Sequence, residues 1–209
     1  MTRGRFITIE GGEGSGKSTL IKGLQDAFAE AGIPLAVTRE PGGTPLAEAV
    51  RQLVLHPPEG NEWSPLAEAL LMNAARADHI EQKINPALDA GTWVVCDRFA
   101  DSTRVYQGLG GVSKTALDAM EAEVTKTARP DLTLILDGPV DQLLARRTQR
   151  GTSDVFERRP AAFHEAVRKA FLDIANANED RCLVLNALAS PEDLVSDAMI
   201  AIKYRLMDQ

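Results

Sequence analysis

Eight consecutive residues, Gly11-Gly12-Glu13-Gly14-Ser15-Gly16-Lys17-Ser18, stand directly behind the alternating apolar segment Phe6-Ile7-Thr8-Ile9. Their spacing fits G-x-x-x-x-G-K-[ST], and the run from Lys17 to Ala31 carries Leu20, Ile21, Leu24, Ala27 and Phe28 at helical spacing. Strand, glycine-rich loop and helix in that order build a nest: backbone N–H groups turn inward onto phosphate oxygens, and the helix N-terminus adds partial positive charge. The segment Gly11 to Thr19 therefore predicts a nucleoside-triphosphate site, with Lys17 reaching the β and γ phosphates and Ser18 on Mg²⁺. What remains open is where the γ phosphate goes.

Further candidates stand at the ends of other apolar runs. After the second run comes Arg39-Glu40-Pro41-Gly42-Gly43-Thr44. A Pro-Gly-Gly turn is ordinary by itself, but an arginine at a strand end points at the ligand crevice, where a planar guanidinium can hold a second phosphate bidentately. Met72 and Arg76 lie four apart on one helix and share a face; singly they read as core and solvated charge, together as an apolar platform beside a cation, which suits a base and its polar edge. The third run closes in Asp97-Arg98-Phe99, an acid where a P-loop protein orients Mg²⁺ and its waters, beside a cation where two phosphates would meet. Behind it, Asp101 to Gly108 offers Ser102, Thr103, Tyr106 and Gln107, a mixture of hydroxyls, phenol and amide that packing alone does not call for. Arg146, Arg147 and Arg150 end a later helix, and the following polar stretch holds Asp154, Glu157, Arg158 and Arg159. That stretch is either a solvated loop or a basic lid that closes over the triphosphate. His56, His79 and His164 show no ligand spacing, and no Ser-His-Asp arrangement recommends a nucleophilic hydrolase.

The elements that must position these residues follow from periodicity. Apolar runs at Arg5 to Glu10, Leu35 to Arg39, Trp93 to Asp97, Leu132 to Asp137 and Cys182 to Leu185 read as strands. Helices read at Pro45 to Leu55, Pro65 to Ala90, Lys114 to Thr127, Val140 to Gln149, Ala161 to Asn178 and Pro191 to Leu206. Strands alternating with helices predict an α/β protein of the P-loop NTPase fold: a five-stranded parallel sheet flanked by helices, with a basic lid segment at about 148–160. The 209 residues, 44% hydrophobic and 25% charged, suit a single domain over 1–209. A net charge of −7 argues against binding polymeric nucleic acid or a membrane surface, so phosphate must be held by local arginines and backbone N–H groups. No apolar run is long enough to span a bilayer and no signal-peptide pattern precedes the first strand, so a cytoplasmic location is expected. Cys96 and Cys182, in apolar runs without CxxC spacing, are expected as buried thiols.

Taken together, Phe6 to Thr19, Arg39 to Thr44, Leu70 to Arg76, Asp97 to Gly108 and Pro130 to Asp137 resemble the thymidylate kinase family, nucleoside-monophosphate kinases that make dTDP from dTMP and ATP. The resemblance implies that Glu13 lies near the sugar 3′-hydroxyl and the metal, and that Arg39 and Arg98 hold the dTMP phosphate. It also implies that Arg76, Thr103 and Gln107 read the thymine edge, that Tyr106 fills the space beneath the 2′ position, and that the enzyme is a homodimer using Mg²⁺. Two positions depart from the family pattern. Met72 stands where the family usually has phenylalanine, which implies weaker stacking on the base, and Val155 stands where a lid arginine is common. With Ser15 in the P-loop where an arginine could sit, the cation on the transferred group must come from Arg150, Arg158 or Arg159, or from elsewhere; Arg150 or Arg158 is expected, with Arg146 beside ATP. The rivals are another nucleotide or deoxynucleoside kinase, whose hydroxyl acceptor would need a base such as a carboxylate ending the first or third strand, and a P-loop NTPase switch, which the lack of an N-K-x-D run disfavours.

Overall fold

The structure, a computed structural model, describes residues 2–148 and 159–207, apart from the side chains of 147 and 148. Strands β1 (Phe6–Gly11), β2 (Leu35–Arg39), β3 (Trp93–Asp97), β4 (Leu132–Asp137) and β5 (Cys182–Asn186) form one wholly parallel sheet in the order β2-β3-β1-β4-β5. Each lies within a residue of its predicted limits. Between and after the strands come helices α1 (Lys17–Glu30), α2 (Pro45–Leu55), α3 (Pro65–His79), α4 (Asn85–Asp89), α5 (Ala100–Leu109), α6 (Lys114–Val124), α7 (Val140–Thr148), α8 (Ala161–Ala177) and α9 (Pro191–Ile202).

Side chains alternate faces along a strand, so a sheet covered on both sides reads as continuous apolar runs. Ile7, Ile9, Val95, Leu134 and Leu136 bury against Leu20, Leu24 and Phe28 of α1 and Leu194 and Ala198 of α9. The opposite parity, Phe6, Val94 and Cys96, meets Ile80, Ile84, Leu88 and Phe99, while Ile135 meets Val105 of α5 and Val167 and Phe171 of α8. Thr8 and Glu10 share the parity of Phe6 and lie on this second face. Both are fully buried, and the Thr8 hydroxyl is matched by that of Thr133 at 2.8 Å, as a polar group in a covered sheet must be. The thiols of Cys96 and Cys182 are buried and free.

Helix starts are written locally. Thr44, Ser64 and Ser190 accept hydrogen bonds from the amides of Ala47, Ala67 and Asp193, each followed by a proline whose missing N–H is one the first turn does not need. The predicted helix from Pro65 to Ala90 is three pieces: α3, a π-helical turn at Ile80–Ile84, and α4. Pro86 has no N–H to donate back to Gln82, so the chain widens by a residue and the amide of Asn85 reaches the carbonyl of Ile80 instead.

Register brings the candidate residues to one edge: Asp97 lies opposite Ile9 of β1 on one side and Arg39 of β2 on the other. Gly11 is where the chain leaves β1, at φ 134°, and a Cβ there would fall 2.5 Å from the carbonyl oxygen of Leu136. The P-loop can begin against the sheet only with glycine at this position. Replacing the fully buried Leu134 by alanine is expected to lower unfolding stability by about 2–5 kcal/mol in urea titrations, whereas Ile200→Ala, at a position 64% exposed, should stay within about 0.5 kcal/mol.

Candidate active site

The C-terminal edge of the sheet opens into a cleft of about 640 Å³. The P-loop from Glu13 to Ser18 forms one wall. Gly16, at φ 94°, is the N-cap of α1, so the loop delivers Lys17 at the helix start. Lys17 Nζ donates to the carbonyls of Gly11 at 3.1 Å and Gly12 at 3.0 Å. Burial, and then the nearby Arg98, push its ammonium below the ordinary lysine range. A buried cation that donates to loop carbonyls and is crowded by a second cation gains from an incoming anion. Ser18 and Thr19 are exposed in the first turn, with Ser18 lining the cleft.

Arg98 faces this wall from the end of β3. Its backbone is left-handed, φ 66°, a conformation that costs a non-glycine residue about 1 kcal/mol or more. The turn aims the side chain back over the loop. One nitrogen donates to Gly11 O at 3.2 Å and Ser102 Oγ at 3.1 Å, and the other to Glu13 Oε1 at 2.5 Å. Its guanidinium carbon lies 5.2 Å from the centre of the Tyr106 ring. Burial works against ionisation of Glu13, but Arg98 and Lys17 overcome it and hold the carboxyl down at about 2. Burial also raises the Tyr106 phenol, which stays neutral and donates to Glu13 Oε1 at 3.3 Å. Arg39, adjacent on β2, donates to both oxygens of Glu48 on α2 at 3.1 and 3.3 Å.

Asp97 lines the cleft, and its Oδ1 is buried without a hydrogen-bond partner among the described residues. A buried, unsatisfied carboxylate oxygen and a serine hydroxyl lining the same cleft are hard oxygen donors, and Asp97 with Ser18 fits Mg²⁺ on that ground.

At the far end of the cleft Arg76 is 3% exposed and anchored on three sides. Its Nε donates to Glu40 Oε2 at 2.7 Å, and its terminal nitrogens to Asn73 Oδ1 at 3.2 Å and Thr103 Oγ1 at 3.0 Å. His79 Nδ1 lies 3.0 Å from the other Glu40 oxygen and its Nε2 lies 2.7 Å from Thr38 Oγ1. Met72, one turn before Arg76, is half-buried on the same wall, and Gln107 donates to Glu68 at 3.2 Å. Donor atoms of Glu40, His79 and Cys96 fall within 4.8 Å of one another, the spacing of a metal site. Glu40 is already shared by Arg76 and His79, and burial lifts the Cys96 thiol well above its usual range, so it keeps its proton and donates to the carbonyl of Arg98. That chemistry is a hydrogen-bonded core that fixes Arg76.

The structure thus gathers Arg39, Met72, Arg76, Asp97, Arg98, Ser102, Thr103, Tyr106 and Gln107 around the P-loop. Gly11 and Gly12 border a small second cavity behind the loop, beside the Asp137–Arg168 ion pair. Arg146 donates to the carbonyl of Ala187 at 2.7 Å. Arg150 and Arg158, with Asp154 to Glu157, lie outside the described residues. Sequence reasoning missed the acids that hold the arginines, Glu40 and Glu48, and the residues Arg51 and Leu55 of α2 and His56 just after it, which extend the cleft. The signal available was that cations in a cleft need counter-charges; which acids supply them depends on the fold, since Glu40 and Arg76 are 36 positions apart.

The chain matches the thymidylate kinase family over residues 9–198. It is 48% identical to the thymidylate kinase of Caulobacter vibrioides over 207 residues, covering 99% of both chains. It is also 48% identical to that of Bradyrhizobium diazoefficiens over 209 residues, covering 98% of this chain and 91% of the relative. Among solved structures, a thymidylate kinase from Ehrlichia chaffeensis superposes with a TM-score of 0.77 at 32% identity, covering 96% of this chain and 99% of that one. With a phosphate nest, an adjoining acid and flanking arginines at one sheet edge, and with relatives matched along nearly their full length, the chain is an enzyme that belongs to the thymidylate kinase family.

Proposed function

We propose that the enzyme transfers the γ-phosphoryl group of ATP to dTMP, giving dTDP and ADP. Family membership supports phosphorylation of dTMP. The observation that carries the reading is the placement of two arginines, Arg39 and Arg98, at the sheet edge opposite Lys17, each held by a carboxylate that a phosphate can replace. Two cations poised in this way suit an acceptor that already bears phosphate. A nucleoside acceptor would instead require a base for its hydroxyl proton; of the carboxylates near the ends of β1 and β3, Glu10 is fully buried and committed to Phe99 and Ser102, and Asp97 is the one assigned to Mg²⁺.

The nucleophile is an oxygen of the dTMP phosphate, whose second pKa of about 6 leaves it mostly dianionic at neutral pH. No protein base is required. Arg39 and Arg98 exchange their carboxylate partners for the acceptor phosphate and bring two mutually repelling anions into line. Gly11 to Thr19 wraps the ATP phosphates, with Arg146 beside the nucleotide, and Lys17 neutralises charge on the γ phosphoryl group. Mg²⁺ held by Ser18 and Asp97 would supply further charge neutralisation and fix the phosphate oxygens. Glu13, kept ionised by Arg98 and Lys17, accepts from the sugar 3′-hydroxyl. Arg76, preset by Glu40, Asn73 and Thr103, reads the base edge with Gln107 while Met72 covers its face. Tyr106 fills the space beneath the 2′ position and disfavours ribonucleotides. Arg150 and Arg158 belong to a lid, at about 148–160, that adds positive charge at the transferred group.

The whole chain acts as one kinase domain. Leu46 and Leu53, seven apart on α2, and Leu66 and Leu70, four apart on α3, leave apolar stripes at the surface of two neighbouring helices, which supports a homodimer through this face. No helix among the described residues is long and apolar enough to cross a membrane, and the reading is of a cytoplasmic enzyme without a polymeric nucleic-acid partner.

An ADP-release assay with ATP and Mg²⁺ is the direct test. A large rate is expected with dTMP and little with UMP, thymidine or no acceptor; release indifferent to acceptor would identify an NTPase instead. Lys17→Ala should reduce kcat by about 10³-fold or more while changing dTMP binding far less, and equal losses in both would count against its assigned role. Met72→Phe should lower the KM for dTMP several-fold, since an aromatic contact adds about 0.5–1.5 kcal/mol beyond buried area.

A further inference from the structure

Glu10 immediately precedes the P-loop and does not face the cleft. It is fully buried and lies on the α5 side of the sheet. Its Oε1 accepts from the amides of Phe99 at 2.8 Å and Ser102 at 3.2 Å, and its Oε2 from the Ser102 hydroxyl at 2.7 Å. Phe99 is the N-cap of α5, and its own side chain supplies no capping bond. The first turn of a helix leaves amides without acceptors and favours negative charge beside it. Here a neighbouring strand provides both functions in place of a local Ser or Asp.

The consequence reaches Arg98. The hydroxyl of Ser102, having given its proton to Glu10, keeps lone pairs for the Arg98 nitrogen 3.1 Å away. The Phe99 amide that Glu10 holds belongs to the residue directly after Arg98, whose left-handed backbone must be restrained from relaxing. On the other side, the Arg98 amide donates to the carbonyl of Ile9, the residue before Glu10. Strand β1 therefore holds Arg98 by its own amide, by the next amide in the chain, and through Ser102.

We propose that Glu10 is a positioning residue for the acceptor site, holding the Arg98 guanidinium over the P-loop through Ser102 and the start of α5. The proposal rests on the reading of Arg98 as a ligand of the dTMP phosphate. A carboxylate is needed because all three groups facing it are donors. Glutamine would keep the two amide bonds on its oxygen but would present N–H to the Ser102 hydroxyl. The serine would then have to turn its proton elsewhere while accepting from two sides, weakening its hold on Arg98.

Stability separates this role from a structural one. Burial, reinforced by Asp101 and opposed by Arg98 and the Ser102 hydroxyl, pushes Glu10 up to about 7. Because its folded value of about 7 lies above the ordinary 4.5, Glu10 lowers stability progressively as pH rises from about 4.5 to about 7, and above that the full cost of the buried charge is present, a cost that a neutral isostere does not carry. Glu10→Gln should thus unfold at the same temperature as the parent enzyme at pH 8, or higher, while binding dTMP less well.

The experiment compares the full-length parent, Glu10→Gln, Ser102→Ala, the double variant and Arg98→Lys, with dTMP and ATP varied in turn. The expected result is a rise of about tenfold in the KM for dTMP in each of Glu10→Gln and Ser102→Ala, as for the loss of one hydrogen bond to a charged group, with the KM for ATP within about twofold of the parent. The double variant should be no worse than about the poorer single, because both act through one contact. An unchanged KM for dTMP in Glu10→Gln, or losses that multiply in the double variant, overturns the proposal. If Arg98→Lys leaves dTMP binding unchanged, the reading of Arg98 fails and the proposal with it; an effect of Arg98→Lys without one of Glu10→Gln rejects the positioning role alone. Should Glu10→Gln fail to fold, Ser102→Ala leaves Glu10 in place and carries the same readout.

Discussion

The ion pair between Glu13 and Arg98 ties the two halves of the cleft together. A guanidinium brought over a phosphate-binding loop already containing Lys17 would meet strong repulsion unless a negative charge stood between them. Glu13, 2.5 Å from Arg98 and held ionised by both cations, is that charge. Its position inside the glycine-rich loop joins that loop to the Arg98 side of the cleft. The left-handed turn at Arg98 is sustained because the guanidinium, once turned back, finds Glu13, Gly11 and Ser102 together.

The same logic is repeated at the other cations. Arg39 rests on Glu48, and Arg76 on Glu40, which His79 holds while Thr38 holds His79. Buried charge is tolerated only when paired and hydrogen-bonded, so each arginine comes with its acid and each acid with its own donors. The result is preorganisation: the cost of ordering long side chains is met on folding, before anything enters the cleft. Arg39 and Arg98 differ from Arg76 in exposure. Arg39 and Arg98 have 55% and 18% of their side-chain surface open, and can exchange a carboxylate for a ligand, whereas Arg76, 3% exposed, keeps its anchors.

The polar residues of the covered sheet show how the fold transmits these demands. Thr8 and Thr133 satisfy each other between β1 and β4, and Arg181 joins Thr133 to Asp101 on α5 at 2.9 and 2.7 Å. Glu10 lies on the same face and reaches the start of the same helix. The helix carrying Ser102, Thr103, Tyr106 and Gln107 is therefore pinned to the sheet by directional bonds as well as by Val105, which fixes its rotation and so the side chains it presents to the cleft.

The strands were legible because covered parallel strands leave unbroken apolar runs, and the P-loop because glycine spacing, lysine and serine are required by one local geometry. Thr44-Pro45, Ser64-Pro65 and Ser190-Pro191 declare helix starts through contacts three residues away, so these too lie in the sequence itself. Arg39, Asp97 and Arg98 could be singled out because strand ends converge in an α/β sheet. What only the tertiary structure decided is pairing at a distance. That Glu13 meets Arg98, that Glu40 meets Arg76 and His79, and that Glu10 turns away from the cleft to cap α5 depend on strand order and register, which bring together residues separated by 85, 36 and 89 positions. Hydrophobic periodicity fixes which face a side chain takes; it carries no record of which other element covers that face, and the partner of a buried charge is chosen there.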